Sequence, residues 1–248
     1  MHRNQFIKLT FLASLGIQYE IKNEFFKACS TQQVQIKNLL GLSASHLISD
    51  SILIEKQTYR SFLKMKSEAA KEGMEIQIVS GYRSFSHQKS IWERKFKQMT
   101  KQMSSEEAIS NIITYSSIPG TSRHHWGTDI DVIDAAVKAP EGDLLLEQNY
   151  TGLGPYSPLK SWMEANSKKF GFHLVYTADE KRSGFNYEPW HYSYAPTSRK
   201  YLNLQVSNEF KLAWKKLEFT GKSDMSDEFI ETYFKNYSLG INPTLMPS

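Results

Sequence analysis

Apolar and polar residues follow two different periods along the middle of the chain. Between Ile52 and Glu72 apolar residues recur at roughly helical spacing, and Gly73 stands where a helix commonly ends. The next residues, Met74 to Val79, alternate between apolar and polar and predict a half-buried strand. A second helix is predicted from about Ser86 to Met103, and Ser104 to Glu107 has the capping-box pattern that opens a third helix.

Further strands and helices follow in no regular order. Strands are predicted at Asp129 to Ile133, Phe172 to Tyr176 and Trp190 to Tyr194. Helices are predicted at Ser157 to Gly171, near Glu209 to Leu217, and near Asp227 to Tyr237. Residues 134 to 156 contain several glycines and predict a long surface excursion. This irregular order predicts an α+β fold with a small, mostly antiparallel sheet.

Composition narrows the class of protein without pointing to a partner. The 248 residues, 40% hydrophobic and 13% aromatic, suffice for one large domain with a buried core. The net charge of +4 comes from scattered lysines and arginines, so nucleic acid is not indicated. The sequence has no transmembrane segment, because no apolar run reaches the roughly 18 residues that a membrane-spanning helix requires. The single cysteine, Cys29, excludes an intrachain disulfide and a multi-cysteine zinc site.

The N-terminus has the pattern of a signal segment. Met1 to Lys8 is positively charged and precedes the short apolar run Leu9 to Ile17. No small-x-small cleavage site follows, so a buried N-terminal helix is the alternative. We expect residues 1–49 to form an N-terminal extension with a candidate signal segment and residues 50–196 to form the main domain. Residues 197–248 are expected to form a C-terminal helical extension packed on that domain.

Two short segments concentrate groups that can bind a metal ion. In the first, a turn leads from His124 into a strand that places Asp129 and Asp131 on one face. In the second, Glu188 to His191 adds an imidazole and another carboxylate, with a bend expected at the proline between them. Catalytic zinc sites use three such ligands and leave a fourth position open, and a nearby carboxylate can act as a base. Taken alone, the first segment also fits a loop histidine beside a solvated aspartate. The second also fits a strand-end glutamate with Trp190 and His191 in the core.

Arg83 is a further candidate, because it follows a predicted strand between Tyr82 and Ser84. Its fixed charge could stabilise the negative oxygen that forms when an amide is attacked. The alternative is an ordinary surface ion pair.

Three segments occur in one order along the chain: Ser80 to Ser84, Pro119 to Asp131, and Glu188 to His191. This order and spacing resemble the zinc D-alanyl-D-alanine carboxypeptidase family, which includes vancomycin-resistance carboxypeptidases and some phage endolysin peptidases. The family pattern is Ser-x-His-x-x-Gly-x-Ala-x-Asp followed by Glu-x-x-His, with an upstream Tyr-Arg-Ser. The resemblance covers roughly residues 50–196 and implies a Hedgehog/DD-peptidase-like fold, a small antiparallel sheet flanked by helices.

The resemblance also implies a role for each matching residue. The zinc (Zn²⁺) ligands would be His124, Asp131 and His191. The catalytic residues would be the general base Glu188 and Arg83, which would polarise the scissile carbonyl. Ser122 and Gln88 match positions that the family uses to bind substrate.

The substrate implied by the resemblance is a peptidoglycan stem peptide or its precursor, so the expected location is the cell envelope, periplasmic or secreted. The leading hypothesis is a D,D-carboxypeptidase that hydrolyses the terminal D-Ala-D-Ala bond. An L,D-carboxypeptidase, a D,D-dipeptidase or a peptidoglycan endopeptidase would use the same zinc site. A non-catalytic cell-wall-binding module would be expected to lack Glu188 or a ligand, and none is missing.

The chain departs from the family pattern around the first histidine. Asp129 stands where alanine is usual, and Arg123 stands where glutamate is common. We expect Asp129 to support a ligand by a hydrogen bond, the alternative being that it binds the metal itself. His125 is an alternative candidate for a ligand, although its adjacency to His124 makes binding of one ion by both awkward. These departures bear on the substrate preference more than on hydrolysis.

Overall fold

The structure of the protein, a computed structural model, describes residues 30–48 and 52–247. The chain divides into two units, residues 1–37 and residues 38–248. Residues 30–39 are helical (α1), and the candidate signal segment lies outside the described residues. Within the described ranges, no helix is long and apolar enough to cross a membrane. The expected domain limits at residues 49/50 and 196/197 stay a prediction.

A four-stranded antiparallel sheet positions the candidate site. Its strands are β3 (Ile76–Ser80), β4 (Asp129–Asp134), β5 (Phe172–Leu174) and β6 (His191–Tyr194), in the spatial order β3-β4-β6-β5. In the central pair, Asp131 lies opposite His191 and Asp129 lies opposite Ser193. A separate two-stranded antiparallel sheet joins β1 (Leu47–Ile48) to β2 (Ile54–Glu55).

In the described residues, eight further helices flank the sheets. They are α2 (Lys56–Ala70), α3 (Phe85–Met99), α4 (Ser105–Ile112), α5 (Glu147–Tyr150), α6 (Ser157–Asn166), α7 (Ala195–Gln205), α8 (Asn208–Trp214) and α9 (Asp227–Tyr233). Short 3₁₀ turns lie at Arg123–Trp126, Ser167–Phe170, Lys222–Asp224 and Pro243–Leu245, and a π-helical turn lies at Phe234–Ser238. The predicted capping box opens α4, where Ser104 and Glu107 exchange hydrogen bonds of 2.9 and 3.2 Å. The predicted α+β class with a small antiparallel sheet flanked by helices is confirmed.

The two faces of the four-stranded sheet have different roles. One face carries Ile78, Ile130 and Tyr192, which pack against apolar residues of α2 and α6 in the main core. Because side chains alternate along a strand, Asp129, Asp131 and His191 project from the other face. The core therefore fixes the backbone on which the acidic and imidazole groups stand.

The C-terminal helices contact the segment that precedes the first candidate ligand. Gln205 at the end of α7 donates a hydrogen bond of 2.8 Å to the carbonyl of Thr121, and Trp214 of α8 donates one of 2.9 Å to the carbonyl of Pro119. The hydroxyl of Tyr233 in α9 lies 2.9 Å from that of Thr121. These contacts hold the backbone of residues 119–121 in place.

Two sequence predictions differ from the structure, and one helix was not predicted. The first predicted helix begins later, because Ile54 and Glu55 form β2 and the Glu55 carboxylate caps α2. The predicted surface excursion, residues 134–156, is wrong in part, because Tyr150 of α5 is buried and donates a hydrogen bond to the β4 backbone. Helix α7 was not predicted, although Pro196 is well suited to the first turn of a helix.

Candidate metal centre

The central strands and the turn before β4 bring together His124, Asp131 and His191. One nitrogen or oxygen from each lies within 4.8 Å of the others. Nε2 of His124 is 3.4 Å from Oδ2 of Asp131, and Nδ1 of His191 is 3.9 Å from Oδ1 of the same carboxylate. All three side chains are buried. The three expected zinc ligands therefore meet at one point.

The turn before β4 depends on Gly127. Its φ of 69° lies in the left-handed region, which is strained for other residues. A Cβ at this position would overlap the side chain of Leu47 and lie 3.0 Å from the backbone nitrogen of Glu55. Glycine thus lets the chain reverse between His124 and the strand that carries Asp131.

A backbone carbonyl orients the His124 ring. Its Nδ1 lies 2.8 Å from the carbonyl oxygen of Gly81, which can only accept a hydrogen bond. Nδ1 therefore carries the hydrogen, and the lone pair of Nε2 faces Asp131. Burial lowers the pKa of His124 to about 4, so the ring is neutral near pH 7, as a metal ligand must be.

Each ring nitrogen of His191 lies within hydrogen-bonding distance of a carboxylate. Nδ1 lies 2.8 Å from Glu188, and Nε2 lies 3.0 Å from Asp129. Burial opposes protonation, but the hydrogen bonds to Asp129 and Glu188 outweigh it and raise the pKa of His191 to about 10. A metal ion bound at Nδ1 would have to replace the proton that this nitrogen carries in the metal-free protein. The expected bend at Pro189 is present, since the amide of His191 donates to the carbonyl of Glu188 at 3.1 Å.

The three residues fit a divalent metal ion. Oδ1 of Asp131 is buried and has no hydrogen-bond partner among the described residues, which is costly for a carboxylate oxygen. Two imidazole nitrogens and one carboxylate oxygen match the ligand set of catalytic zinc sites. An ion bound at this point would satisfy the unpaired oxygen.

Asp129 lies behind His191 rather than among the three clustered ligand groups. Its carboxylate accepts hydrogen bonds from Arg123 at 2.7 Å, Ser193 at 2.7 Å and Thr128 at 3.0 Å, besides contacting His191. Burial alone would raise the pKa of Asp129, but Arg123 and the neighbouring imidazoles hold it far below its usual range. Both carboxylate oxygens are thus engaged by protein groups.

His125 is not free to bind a metal. Its Nδ1 lies 2.5 Å from the carbonyl oxygen of Arg83, and its Nε2 accepts a hydrogen bond of 3.2 Å from the amide of Gly120. Burial lowers its pKa to about 4, which agrees with a neutral ring that donates once and accepts once. Both nitrogens of His125 are therefore engaged by backbone groups, and His125 ties Arg83 to the segment before the turn.

Arg83 lines the cleft, and Gln88 stands behind it. The Arg83 amide donates to the carbonyl of His124 at 3.0 Å, and its guanidinium donates to Oε1 of Gln88 at 2.9 Å. The other end of the Gln88 amide donates to the carbonyl of Ser117 at 2.7 Å. Gln88 is fully buried and does not line the cleft, so the structure gives it contact with Arg83 rather than with a ligand.

The candidate ligands open into a cleft of about 760 Å³. Ser122, Glu188, Tyr187 and Trp190 line its walls together with Arg83 and the three clustered residues. The sequence did not single out the cleft residues Lys95, Tyr176, Asp143 and Glu147.

Lys95 is the most informative of the residues that were missed. It lies seven residues after Gln88, two turns further along α3, and this helical spacing is the signal that could have found it. Its amine donates to the hydroxyl of Ser116 at 2.5 Å, and no carboxylate within the described ranges pairs with it. Burial and the charges of Arg94 and Arg83 lower the pKa of Lys95.

Several known proteins resemble this chain. A D-alanyl-D-alanine carboxypeptidase of Enterococcus faecalis is 30% identical over 128 residues, 51% of this chain and 42% of that protein. The bifunctional D-Ala-D-Ala dipeptidase and carboxypeptidase VanXYC of Enterococcus gallinarum is 29% identical over 121 residues, 48% of this chain and 56% of that protein. The chain thus spans about half the length of these relatives.

Among solved structures, VanYB in complex with D-alanine-D-alanine is 21% identical, with a TM-score of 0.48, and the match covers 69% of this chain and 88% of that one. The LdcB LD-carboxypeptidase is 23% identical, with a TM-score of 0.47 and 78% of each chain covered. The family model for VanY, D-alanyl-D-alanine carboxypeptidase, matches residues 51–197, which include all three site segments. The chain belongs to the VanY D-alanyl-D-alanine carboxypeptidase family.

Proposed function

We propose that this protein is a zinc-dependent D,D-carboxypeptidase that removes the terminal D-alanine from peptidoglycan stem peptides ending in D-Ala-D-Ala. One observation carries the proposal: His124, Asp131 and His191 converge in the same cleft as Glu188 and Arg83. Two relatives bear the name of the same activity. The protein would meet its substrate in the cell envelope, periplasmic or secreted.

Three side chains would hold the zinc ion. They are His124 through Nε2, Asp131 through its carboxylate and His191 through Nδ1, since these atoms face one another. A bound zinc ion supplies Lewis-acid polarisation of a carbonyl and lowers the pKa of water.

Glu188 moves the protons of the reaction. Its carboxylate lies in the cleft wall beside His191 and can accept a proton from the attacking water. The protonated acid then returns the proton to the nitrogen of the leaving D-alanine. This transfer lets the amine depart as a neutral group.

Arg83 stabilises charge at the scissile carbonyl. Its guanidinium faces the cleft and is aimed by hydrogen bonds to Gln88 and, at 3.4 Å, to Ser80. A guanidinium held in this way can donate to the carbonyl oxygen as negative charge develops there. Gln88 therefore acts by fixing Arg83.

The charges of the cleft favour a substrate with a free terminal carboxylate. Arg83 and Lys95 both line the cleft, and neither pairs with a carboxylate in the described part of the chain. A half-buried amine without an anionic partner is a natural contact for the carboxylate of a C-terminal residue. This supports a carboxypeptidase over an endopeptidase, whose substrate continues beyond the cleaved bond.

The experiment is digestion of a purified muropeptide mixture followed by mass spectrometry, with and without a chelator. Loss of one D-alanine from pentapeptides, abolished by the chelator, is the expected result. Loss of D-alanine from tetrapeptides would make the protein an L,D-carboxypeptidase. Release of a dipeptide would make it a D,D-dipeptidase, and cleavage within the stem would make it an endopeptidase. No cleavage by the zinc-loaded protein would leave a non-catalytic binding module.

A further inference from the structure

We infer that Arg123 and Asp129 form a buried ion pair that positions His191, so that Nδ1 rather than Nε2 faces the metal. The inference rests on the proposed metal site. Asp129 is fully buried and does not line the cleft, so it is placed to act through His191 rather than on the substrate. Asp129 is thus a positioning residue.

The contact between Asp129 and His191 selects one ring nitrogen. Oδ2 of Asp129 is 3.0 Å from Nε2, whereas Nδ1 points toward Asp131 at 3.9 Å. Glu188 lies 2.8 Å from Nδ1, so a carboxylate flanks each nitrogen, but only Nδ1 also faces Asp131. With the Nε2 hydrogen donated to Asp129, Nδ1 is the nitrogen left to face a metal ion. An imidazole fixed in this way by a carboxylate is a common support for a metal ligand.

Arg123 offsets the negative charge of Asp129, which is buried close to a second carboxylate, Asp131. The Nε of Arg123 donates to Asp129 at 2.7 Å, and the two side chains are 4% and 0% exposed. Because the pair is neutral as a unit, Asp129 adds a hydrogen-bond acceptor without adding net charge. A lone buried carboxylate here would instead be a strong competitor for the metal.

Two further contacts fix the geometry of the pair. Nη2 of Arg123 donates to the hydroxyl of Ser193 at 2.7 Å, and that hydroxyl donates to Asp129 at 2.7 Å. The guanidinium carbon also lies 4.5 Å from the centre of the Trp126 ring, within cation–π distance. Ser193 stands opposite Asp129 in the sheet register, so β6 carries both the histidine and part of its support.

The two departures from the family pattern are therefore one feature. Arg123 and Asp129 both differ from the pattern that the sequence resembles, and their side chains contact each other directly. Removing either residue would leave the other buried without its ion-pair partner, which is costly. Together they supply a support that an alanine at position 129 cannot give.

The test measures metal binding rather than turnover. Asp129→Asn and the double variant Arg123→Met with Asp129→Ala are compared with the unaltered protein for zinc affinity, by competition with a chromophoric chelator. The visible absorption spectrum of the cobalt(II)-substituted protein reports the ligand geometry. Thermal unfolding of the metal-free proteins separates loss of fold from loss of positioning.

A matched control is Asp134→Asn. Asp134 is also a buried carboxylate of β4, but it accepts from the backbone amides of Glu75 and Ala136 and contacts none of the three clustered residues. Asparagine keeps an oxygen that can accept both of these hydrogen bonds, so the zinc affinity and the cobalt spectrum of this variant should stay unchanged.

Both Asp129 variants are expected to bind zinc about 10- to 100-fold more weakly and to show an altered cobalt spectrum. The double variant should show these effects although its metal-free form has the melting temperature of the unaltered protein, because it removes both charges of the ion pair. Unchanged affinity and spectrum in both variants would overturn the inference while the proposed function stands. A cobalt spectrum that shows one protein ligand fewer in the Asp129 variants would also overturn the inference, because Asp129 would then bind the metal itself. Failure of the unaltered protein to bind either ion would overturn the proposed function itself.

Discussion

The carboxylate of Glu188 lies 2.8 Å from Nδ1 of His191, the ring nitrogen that also faces Asp131. The turn at Pro189 creates this contact, because the amide of His191 donates to the carbonyl of Glu188. The proposed base and a proposed ligand are thus adjacent, and Glu188 reaches the reaction centre without belonging to the ligand cluster.

Replacing Glu188 should separate binding of the metal from catalysis. Glu188→Gln keeps the shape of the side chain but removes the proton acceptor, so kcat should fall by at least about 10²-fold. Zinc content, measured by elemental analysis, should stay at the level of the unaltered protein. Glu164→Gln, at an exposed carboxylate of α6 that pairs with Lys160, serves as the control. Normal turnover in Glu188→Gln would remove the proton-transfer role.

Replacing His124 should remove the metal together with the activity. His124→Ala deletes a buried proposed ligand whose orientation is fixed by Gly81, and the adjacent His125 cannot substitute, since both of its nitrogens are occupied. His173→Ala is a suitable control, because His173 contacts Thr244 and lies outside the cluster. Full zinc occupancy in His124→Ala would place the ligand elsewhere.

Lys95 should matter only for substrates with a free terminal carboxylate. Lys95→Met should raise KM for such a peptide by about tenfold or more, since a hydrogen bond between charged groups contributes roughly 1.5–3 kcal/mol. The same peptide with an amidated C-terminus should be cleaved poorly, and equally, by both proteins. Lys97→Met, at an exposed lysine of the same helix, is the control. An equal effect on both peptides would assign Lys95 a structural role.

Gly127 should be intolerant of even a methyl group. Gly127→Ala adds left-handed strain of roughly 1–2 kcal/mol and a clash with Leu47, so the melting temperature and the zinc affinity should both fall. Gly142→Ala tests the strain alone, because Gly142 also has a left-handed φ, 83°, but nothing within 4 Å of an added Cβ. Equal losses in the two variants would show that the clash contributes nothing.

Most helices and strands could be predicted from the sequence, because they depend on local pattern. The residues that the structure brings together could be predicted because three short segments match a family pattern in order and spacing. The alternation around Asp129 and Asp131 placed both carboxylates on one face, and the proline before Trp190 indicated the bend beside Glu188. Spacing along the chain could also have identified Lys95, which shares a helix face with Gln88.

Long-range contacts could not be predicted in the same way. The pairing of Asp129 with His191 joins residues 62 positions apart, and that of Trp214 with Pro119 joins residues 95 apart. Such contacts depend on how strands and helices pack, which no local period encodes. Gln88 shows the same limit, since its motif position suggests substrate contact whereas burial places it behind Arg83.

The most direct test of a zinc-dependent carboxypeptidase is a zinc titration of the metal-free protein. The protein is stripped with a chelator, zinc is restored stepwise, and the release of D-alanine from a peptide ending in D-Ala-D-Ala is measured at each step. We predict that activity is absent at the start, rises in proportion to bound zinc and reaches a plateau at one ion per chain. Full activity in the stripped protein, or none at the plateau, would contradict the account.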